Sequence, residues 1–369
     1  MKAKKLFKSV FYATVALTFF ACGDDEEIKP NGKTEEKANH QIALVHEGSW
    51  GGNNACIHLY NASKKTLTSP IEWEGIGDVA NDAIMGSDGK IYAALSMSQR
   101  LGVASYETVQ DNNLYSTDIR YNNFRLQHTP RSLVECDGSI YISCQGGYLI
   151  RFDLKSREQE EIKLESGDNL EGIAEMNGIL YICNSYSVDE NYTYTYNRDI
   201  LTYDTKKHQQ GQTLQSVVNP NYLCTIGDHL FVLGFGDYAA EPYQIAEIDT
   251  QTGKSTPIAE GSKMGIWKGE LVFCQSQTDW STNTTSNEFY TYNPENKKTT
   301  PVDTSKWPSE LSNTAIYAIQ GDSQNDDLYI ATTDYTTTSS VYRFGKDGVL
   351  IDSFDSEGIN CNKILPLKQ

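Results

Sequence analysis

Histidine, cysteine and carboxylate side chains perform most metal and acid–base chemistry, and in this sequence their spacing matches no compact site motif. The six histidines are His40, His46, His58, His128, His208 and His229. No two of them occur at HxH, HxxxH or HExxH spacing, and a nucleophile elbow, a Walker A loop and a dinucleotide-binding glycine pattern are missing. We therefore predict no catalytic residues and no compact metal site, although ligands from separate segments could converge.

Three acids near the C-terminus, Asp322, Asp326 and Asp327, are a candidate cation-binding group in a hairpin turn. The glycine and the distal glutamate of an EF-hand loop are absent, so we expect a solvated turn there. Carboxylates from different segments could still pair for glycoside hydrolysis, an alternative that spacing alone leaves open.

Cys22 is the residue for which the sequence indicates covalent chemistry. Four lysines precede the apolar run 10–20, which is followed by Ala21, Cys22 and Gly23. This order is typical of a secretory signal, whereas a transmembrane anchor needs a longer run. A cysteine followed by glycine at the cleavage site matches the bacterial lipoprotein box, in which the thiol receives diacylglycerol. We predict a signal peptide over residues 1–21 and lipidation at Cys22.

Residues 22–40 begin with the acidic cluster 24–27 and continue as a polar segment without apolar periodicity. Such a composition predicts a flexible tether. The acidic cluster directly after Cys22 also resembles the surface-export signal of Bacteroidetes lipoproteins, and a plain solvated linker is the alternative.

The other seven cysteines show no CxxC pattern and are odd in number. Most of them stand beside large apolar residues in strand-like runs, which is typical of buried thiols that pack as small hydrophobes. We predict no disulfide scaffold.

Composition and charge narrow the class of protein. The chain has 369 residues, 49 acids against 31 bases and a formal net charge of -18, which disfavours binding to nucleic acid. Hydrophobic residues make up 38% and aromatic residues 11%, including 23 tyrosines, enough for a substantial core. This composition is typical of all-β proteins.

Seven short apolar pairs recur along the chain, usually just after a tight turn. Their spacing of 40 to 57 residues is close to the length of a four-stranded propeller blade. The pairs begin at Leu44, Ile91, Ile140, Leu180, Leu230, Leu271 and Leu328.

Blades must stack on their neighbours to bury both faces, and closing the ring removes exposed edges. We therefore predict an all-β fold, a seven-bladed β-propeller of four-stranded antiparallel blades over residues 41–369. The segment 362–367 is expected to add a strand to the first blade, and a β-sandwich pair or a β-helix is the alternative.

One rim of the predicted disc carries long aromatic loops, and the turns between first and second strands on the other rim are minimal. Such asymmetry is typical of a ligand-binding face on a rigid scaffold, unless the loops merely pack on themselves. Candidate ligand-binding residues are those in these loops and at the starts of the first strands. They are Glu47, Trp50, Asn53, Asn81, Asp82, Arg131, Glu171, Tyr186, Asn221, Tyr238, Met264, Trp280 and Tyr335.

The segment 46–61, HEGSWGGNNACIHLYN, resembles the first-blade signature of YncE-like propeller lipoproteins of Bacteroidetes. That signature reads Asn-Glu-Gly, an aromatic residue, Asn-Ala and a Tyr-Asp strand end, and here His46 and Asn61 replace its first and last residues. The resemblance covers residues 41–369. The family includes the surface cobalamin-binding lipoproteins of the BtuG type, which deliver vitamin B12 to a TonB-dependent outer-membrane transporter.

The resemblance implies a non-enzymatic, lipid-anchored protein at the outer-membrane cell surface, with a corrinoid as ligand and a TonB-dependent transporter as partner. Tyr and Trp rings suit such a role because they offer large, rigid contact area. A glycan-binding surface protein would use the same rings, and a propeller lyase or dehydrogenase is the third alternative.

Overall fold

The computed structural model describes residues 40–67, 71–72, 77–111, 114–279, 281–282 and 284–367. These residues form seven antiparallel sheets, the blades of a β-propeller, so the predicted fold is confirmed. The described part of the chain contains no α-helix, only a 3-10 turn at Ser309–Ser312, and it offers no helix suited to crossing a membrane. The predicted signal peptide, Cys22, the tether up to residue 39 and Trp280 lie outside the described residues.

The first three blades occupy residues 41–163. Blade one has β1 (Gln41–His46), β2 (Cys56–Asn61), β3 (Thr66–Leu67) and β4 (Ile71–Glu72). Blade two has β5 (Ala80–Met85), β6 (Ile91–Leu95), β7 (Arg100–Asp111) and β8 (Leu114–Arg125). Blade three has β9 (Pro130–Cys136), β10 (Ser139–Cys144), β11 (Tyr148–Asp153) and β12 (Gln159–Lys163).

The remaining blades follow the same pattern. Blade four has β13 (Asn169–Met176), β14 (Ile179–Val188), β15 (Tyr194–Asp204), β16 (Gln209–Gln210) and β17 (Leu214–Gln215). Blade five has β18 (Pro220–Ile226), β19 (His229–Gly234), β20 (Gln244–Ile248) and β21 (Ser255–Glu260). Blade six has β22 (Lys263–Trp267), β23 (Glu270–Asp279), β24 (Thr284–Asn293) and β25 (Lys298–Pro301). Blade seven has β26 (Ala315–Asp322), β27 (Asp327–Thr333), β28 (Thr338–Phe344) and β29 (Leu350–Ile359), and the last strand is β30 (Cys361–Pro366).

The hydrophobic core is divided into seven layers, one between each pair of neighbouring blades. The recurring apolar pairs lie in the second strand from the centre of each blade, which is β1 in blade one because β30 is innermost there. That strand is buried on both faces, as in β6, β10 and β27. This explains why the pairs are continuous instead of alternating with polar residues. A single blade cannot bury both faces, so the blades depend on one another for stability.

The ring is closed by the two ends of the propeller. β30 pairs antiparallel with β1, from Ile42 opposite Pro366 to His46 opposite Cys361, and becomes the innermost strand of blade one. The predicted contribution of the C-terminal segment to the first blade is therefore confirmed.

The long interval before Leu328 is explained by an insertion between blades six and seven. It contains the 3-10 turn, and its Trp307 and Leu311 side chains join the core between these two blades. The seven thiols expected to be buried are buried, and none of them forms a disulfide.

Two expectations about turns were wrong. Asp326 is exposed, as expected for a solvated turn, but Asp322 and Asp327 are buried, because Asp322 pairs with His40 and Asp327 forms an ion pair with Arg343 at 2.6 Å. The rim that was expected to carry only short turns also carries a long hairpin. Strand β7 pairs with β6 only as far as Ala104, but its pairing with β8 continues to Asp111 opposite Leu114.

Candidate functional site

The amino-terminal ends of the innermost strands surround a cavity of about 250 Å³ on the rim that carries the aromatic loops. All seven blades contribute to its wall. One lining residue from each is Lys363, Asn81, Arg131, Glu171, Asn221, Met264 and Tyr317.

The cavity brings together most of the non-aromatic residues that the sequence suggested. Those that line it are Glu47, Asn81, Asp82, Arg131, Glu171, Asn221 and Met264. Sequence reasoning missed the polar residues Lys263, Tyr317, Asn362 and Lys363. Lys363 and Asn362 could have been found by extending the rule for first-strand starts to β30, whereas Tyr317 is hidden by the insertion before β26.

Arg131 and Glu171 form an ion pair between blades three and four. The Arg131 Nε donates to Glu171 Oε2 at 2.8 Å, and Glu171 is only 4% exposed. Burial raises the pKa of Glu171, and the neighbouring guanidinium opposes this rise. The ion pair with Arg131 therefore offsets part of the cost of burying the Glu171 carboxylate.

Asp82 connects three blades at the cavity wall. It accepts hydrogen bonds from Ser132 Oγ at 2.5 Å and from the Leu133 amide at 3.1 Å, and its other oxygen lies 2.8 Å from Lys363 Nζ. Burial opposes the charge of Lys363, but Asp82 raises the pKa of the ammonium above its ordinary value. The charged groups of Asp82 and Lys363 are therefore already paired within the protein.

Lys263 differs from the other two cations of the cavity, because no ion pair or hydrogen bond holds its ammonium within the described residues. Its Nζ lies 4.7 Å from the ring centroid of Tyr317, and the Tyr317 hydroxyl donates to Glu47. Burial lowers the pKa of Lys263, and Glu47 partly opposes this effect. Lys263 is thus the cation most available to a ligand.

The cavity carries three acids, Glu47, Asp82 and Glu171, and three bases, Arg131, Lys263 and Lys363. Because these charges balance, the site favours a polar but nearly neutral ligand over a strongly charged one. Amide groups beside them, such as those of Asn81 and Asn221, can donate and accept hydrogen bonds.

Trp50 stands on a loop with a defined conformation at the edge of this face. The Asn54 side chain accepts a hydrogen bond from the Ser49 amide at 2.8 Å, and Asp78 accepts one from the Gly51 amide at 3.0 Å. The Trp50 side chain is nevertheless 79% exposed. A large ring held in water by an ordered loop is typical of a binding surface. Asn53, in the same loop, is also exposed.

A continuous series of aromatic contacts runs from the blade-four hairpin to the cavity wall. Adjacent rings have centroids 4.9 to 6.4 Å apart. The series is Tyr186, Tyr194, Tyr196, Tyr238, Tyr243 and Phe235, of which Phe235 lines the cavity. On blade seven, Tyr335 contacts Tyr317 edge to face at 5.8 Å and is 60% exposed. Aromatic rings thus flank the polar cavity on two sides.

Comparison with known proteins identifies the fold and no more. No family model matches the chain, and no curated protein matches it. Two structures assigned provisionally as 6-phosphogluconolactonases are similar in fold. That from Bacteroides uniformis is 12% identical over 88% of this chain and 99% of its own, with a TM-score of 0.59. That from Bacteroides fragilis is 13% identical over 90% and 99%, also with a TM-score of 0.59.

A catalytically inactive variant of virginiamycin B lyase from Staphylococcus aureus, in complex with quinupristin, is similar as well. It is 14% identical over 77% of this chain and 92% of its own, with a TM-score of 0.51. At such identities the likeness concerns the fold alone. These structures share the propeller fold but have different assignments, so function must be argued from the site.

Proposed function

We propose that this protein binds a small polar molecule at the channel mouth without transforming it, and that a corrinoid is the ligand to test first. The observation that supports the proposal is an exposed Trp50, on a loop that begins at the cavity residue Glu47, together with the balanced charges and flanking tyrosines of that cavity. Amide side chains of a corrinoid would accept and donate hydrogen bonds in the cavity, while its apolar surface would pack on the rings.

The cavity is too small to enclose a corrinoid. Pockets that enclose a drug-sized ligand usually measure roughly 300–1,000 Å³, and this cavity measures about 250 Å³. A large ligand would therefore insert one polar edge and leave the rest on the rim. The exposed rings of Trp50, Tyr238 and Tyr335 are in the right place for such a contact.

Replacing Trp50 by alanine is expected to weaken cyanocobalamin binding to the purified full-length protein. Truncating an aromatic anchor costs about 2 kcal/mol, or roughly thirtyfold in Kd. The melting temperature should stay nearly unchanged because the ring is outside the core. Isothermal titration calorimetry and thermal denaturation measure the two effects.

Matched controls lie on the opposite rim. Val349 is an exposed apolar residue in the turn between β28 and β29, and Lys268 is exposed in the turn between β22 and β23. Val349→Ala and Lys268→Ala should leave Kd unchanged. Equal losses in these variants, or no loss in Trp50→Ala, would show that the face is wrong, and no binding by the wild type would exclude the corrinoid.

A glycan is the second candidate ligand, favoured by the highly exposed tyrosines of the blade-four hairpin, Tyr192 and Tyr194. Exposed rings stack on the apolar faces of sugars as readily as on other flat ligands. Binding to a glycan array by a protein that fails to bind cyanocobalamin would favour this alternative.

We also propose that the protein is anchored at the outer-membrane surface through Cys22 and passes its ligand to a TonB-dependent transporter. The basic, apolar and Ala-Cys-Gly order at the N-terminus supports the anchor. Cys22→Ser should move the protein from the membrane fraction to the soluble fraction, measured by fractionation and immunoblotting. A mature wild-type N-terminus other than an acylated Cys22, found by mass spectrometry, would contradict the proposal.

A further inference from the structure

Three buried side chains that the ligand cavity does not use meet at the junction of β1 and β2. His46 at the end of β1 lies directly opposite Cys56 at the start of β2, and His58 follows two residues later on the same face of the strand. One ring nitrogen of each histidine and the Cys56 sulfur lie within 4.8 Å of one another. Both histidines are almost fully buried.

The hydrogen bonds of Ser356 determine which nitrogen of His46 carries the proton. The Ser356 hydroxyl donates to the Ser339 carbonyl at 2.8 Å, so its oxygen must accept from His46 Nε2, which lies 2.9 Å away. The proton of His46 is then on Nε2, and Nδ1 presents a lone pair. That Nδ1 is buried and has no hydrogen-bond partner within the described residues.

His58 contacts the thiol directly through one of its ring nitrogens. Its Nδ1 lies 3.9 Å from Cys56 Sγ, whereas its Nε2 faces Glu357 Oε2, also at 3.9 Å. The Nε2 of His58 is buried without a hydrogen-bond partner among the described residues, because Glu357 lies beyond hydrogen-bond distance. The ring can therefore carry its proton on Nε2 and leave the Nδ1 lone pair beside the thiol.

We propose that His46 Nδ1, Cys56 Sγ and His58 Nδ1 bind one zinc ion. Two imidazole nitrogens and one thiolate are a ligand set that Zn²⁺ prefers. When the zinc–sulfur bond forms, the Cys56 thiol releases its proton to solvent. Ser356 is then the outer partner that orients the His46 ring, as hydroxyl and carboxylate groups do around other metal-bound histidines.

The position of this cluster suggests what the ion would stabilise. Ser356, Glu357 and Gly358 belong to β29 of blade seven, whereas His46, Cys56 and His58 belong to blade one. A Cβ atom at Gly358 would lie 2.3 Å from His46 Cγ, so only glycine leaves space for the ring. Bound zinc would link β1 to β2 next to the place where β30 closes the ring. It would thereby also fix the two ends of the Trp50 loop, which joins these strands.

The test is zinc content of the full-length protein, purified without a metal-affinity tag, loaded with zinc and separated from unbound ion by gel filtration. We expect about one zinc per chain in the wild type, and less than about a tenth of that in Cys56→Ser and His58→Gln. Cys183→Ser is the matched control, because it removes an equally buried thiol from β14 in blade four and should keep the wild-type content.

A wild-type protein with less than about a tenth of a zinc per chain, or equal zinc in Cys56→Ser, would overturn the proposal. If the variants do not fold, cobalt replaces zinc in the wild type. A thiolate-to-cobalt absorption band in the near ultraviolet supports the site, and its absence refutes it. Neither result depends on the ligand of the cavity, so this inference can fail while the proposed function stands.

Discussion

A chain that ends at Asn360, and so lacks β30, is expected to accumulate as aggregate with no recoverable folded protein. Loss of β30 leaves the inner edge of β1 unpaired. The side chains of this strand from Ile42 to Val45 are fully buried in the intact ring. The core layer between blades seven and one also loses Cys361 and Ile364. An unpaired, hydrophobic strand edge promotes aggregation, and an open ring leaves two blades half buried.

A circular rearrangement is the control for this truncation. It inserts residues 361–367 and an Asn-Gly turn directly before His40 of the shortened chain. The Leu367 amide donates to the Gln41 carbonyl at 2.9 Å, so the two ends are close enough for a two-residue turn. Soluble protein and a native circular dichroism spectrum should return. A truncated chain that folds as well as the wild type would show that β30 is dispensable.

Arg131→Met is expected to lower the free energy of unfolding by about 3 kcal/mol at pH 8, since it leaves Glu171 buried and uncompensated. Burial raises the pKa of Glu171, and removing the guanidinium removes the effect that opposes this rise. A raised pKa stabilises the protonated form, so the deficit should shrink as the pH falls through the new pKa of Glu171 and be smallest below the ordinary pKa of glutamate. Urea denaturation at pH 8 and pH 5 measures both effects.

The double variant Arg131→Met with Glu171→Gln is the control, because it replaces the pair by two neutral groups. It should recover most of the lost stability at pH 8, as neutral replacements of buried ion pairs often do. A deficit of equal size at both pH values, or a double variant as unstable as the single one, would mean that Arg131 acts through packing instead of charge.

The sequence by itself determined the number of blades and the antiparallel pairing of their strands. In a propeller the second strand of every blade is buried on both faces, so its apolar residues recur at the blade interval and stand out against the polar turns. Polar residues at the starts of first strands, such as Asn81, Arg131 and Glu171, could be assigned to the channel mouth because blade topology brings all these strand ends to one place.

Contacts between blades could be known only from the tertiary structure. Lys363 reaches Asp82 across the ring closure, and Tyr317 reaches Glu47 over a similar separation along the chain. No local pattern marks such partners. The meeting of His46, Cys56 and His58 depends on the register of β1 against β2, in which a slip by one residue would send His46 to the opposite face from the other two. Composition and periodicity specify which elements form, whereas strand register and ring closure decide which side chains touch.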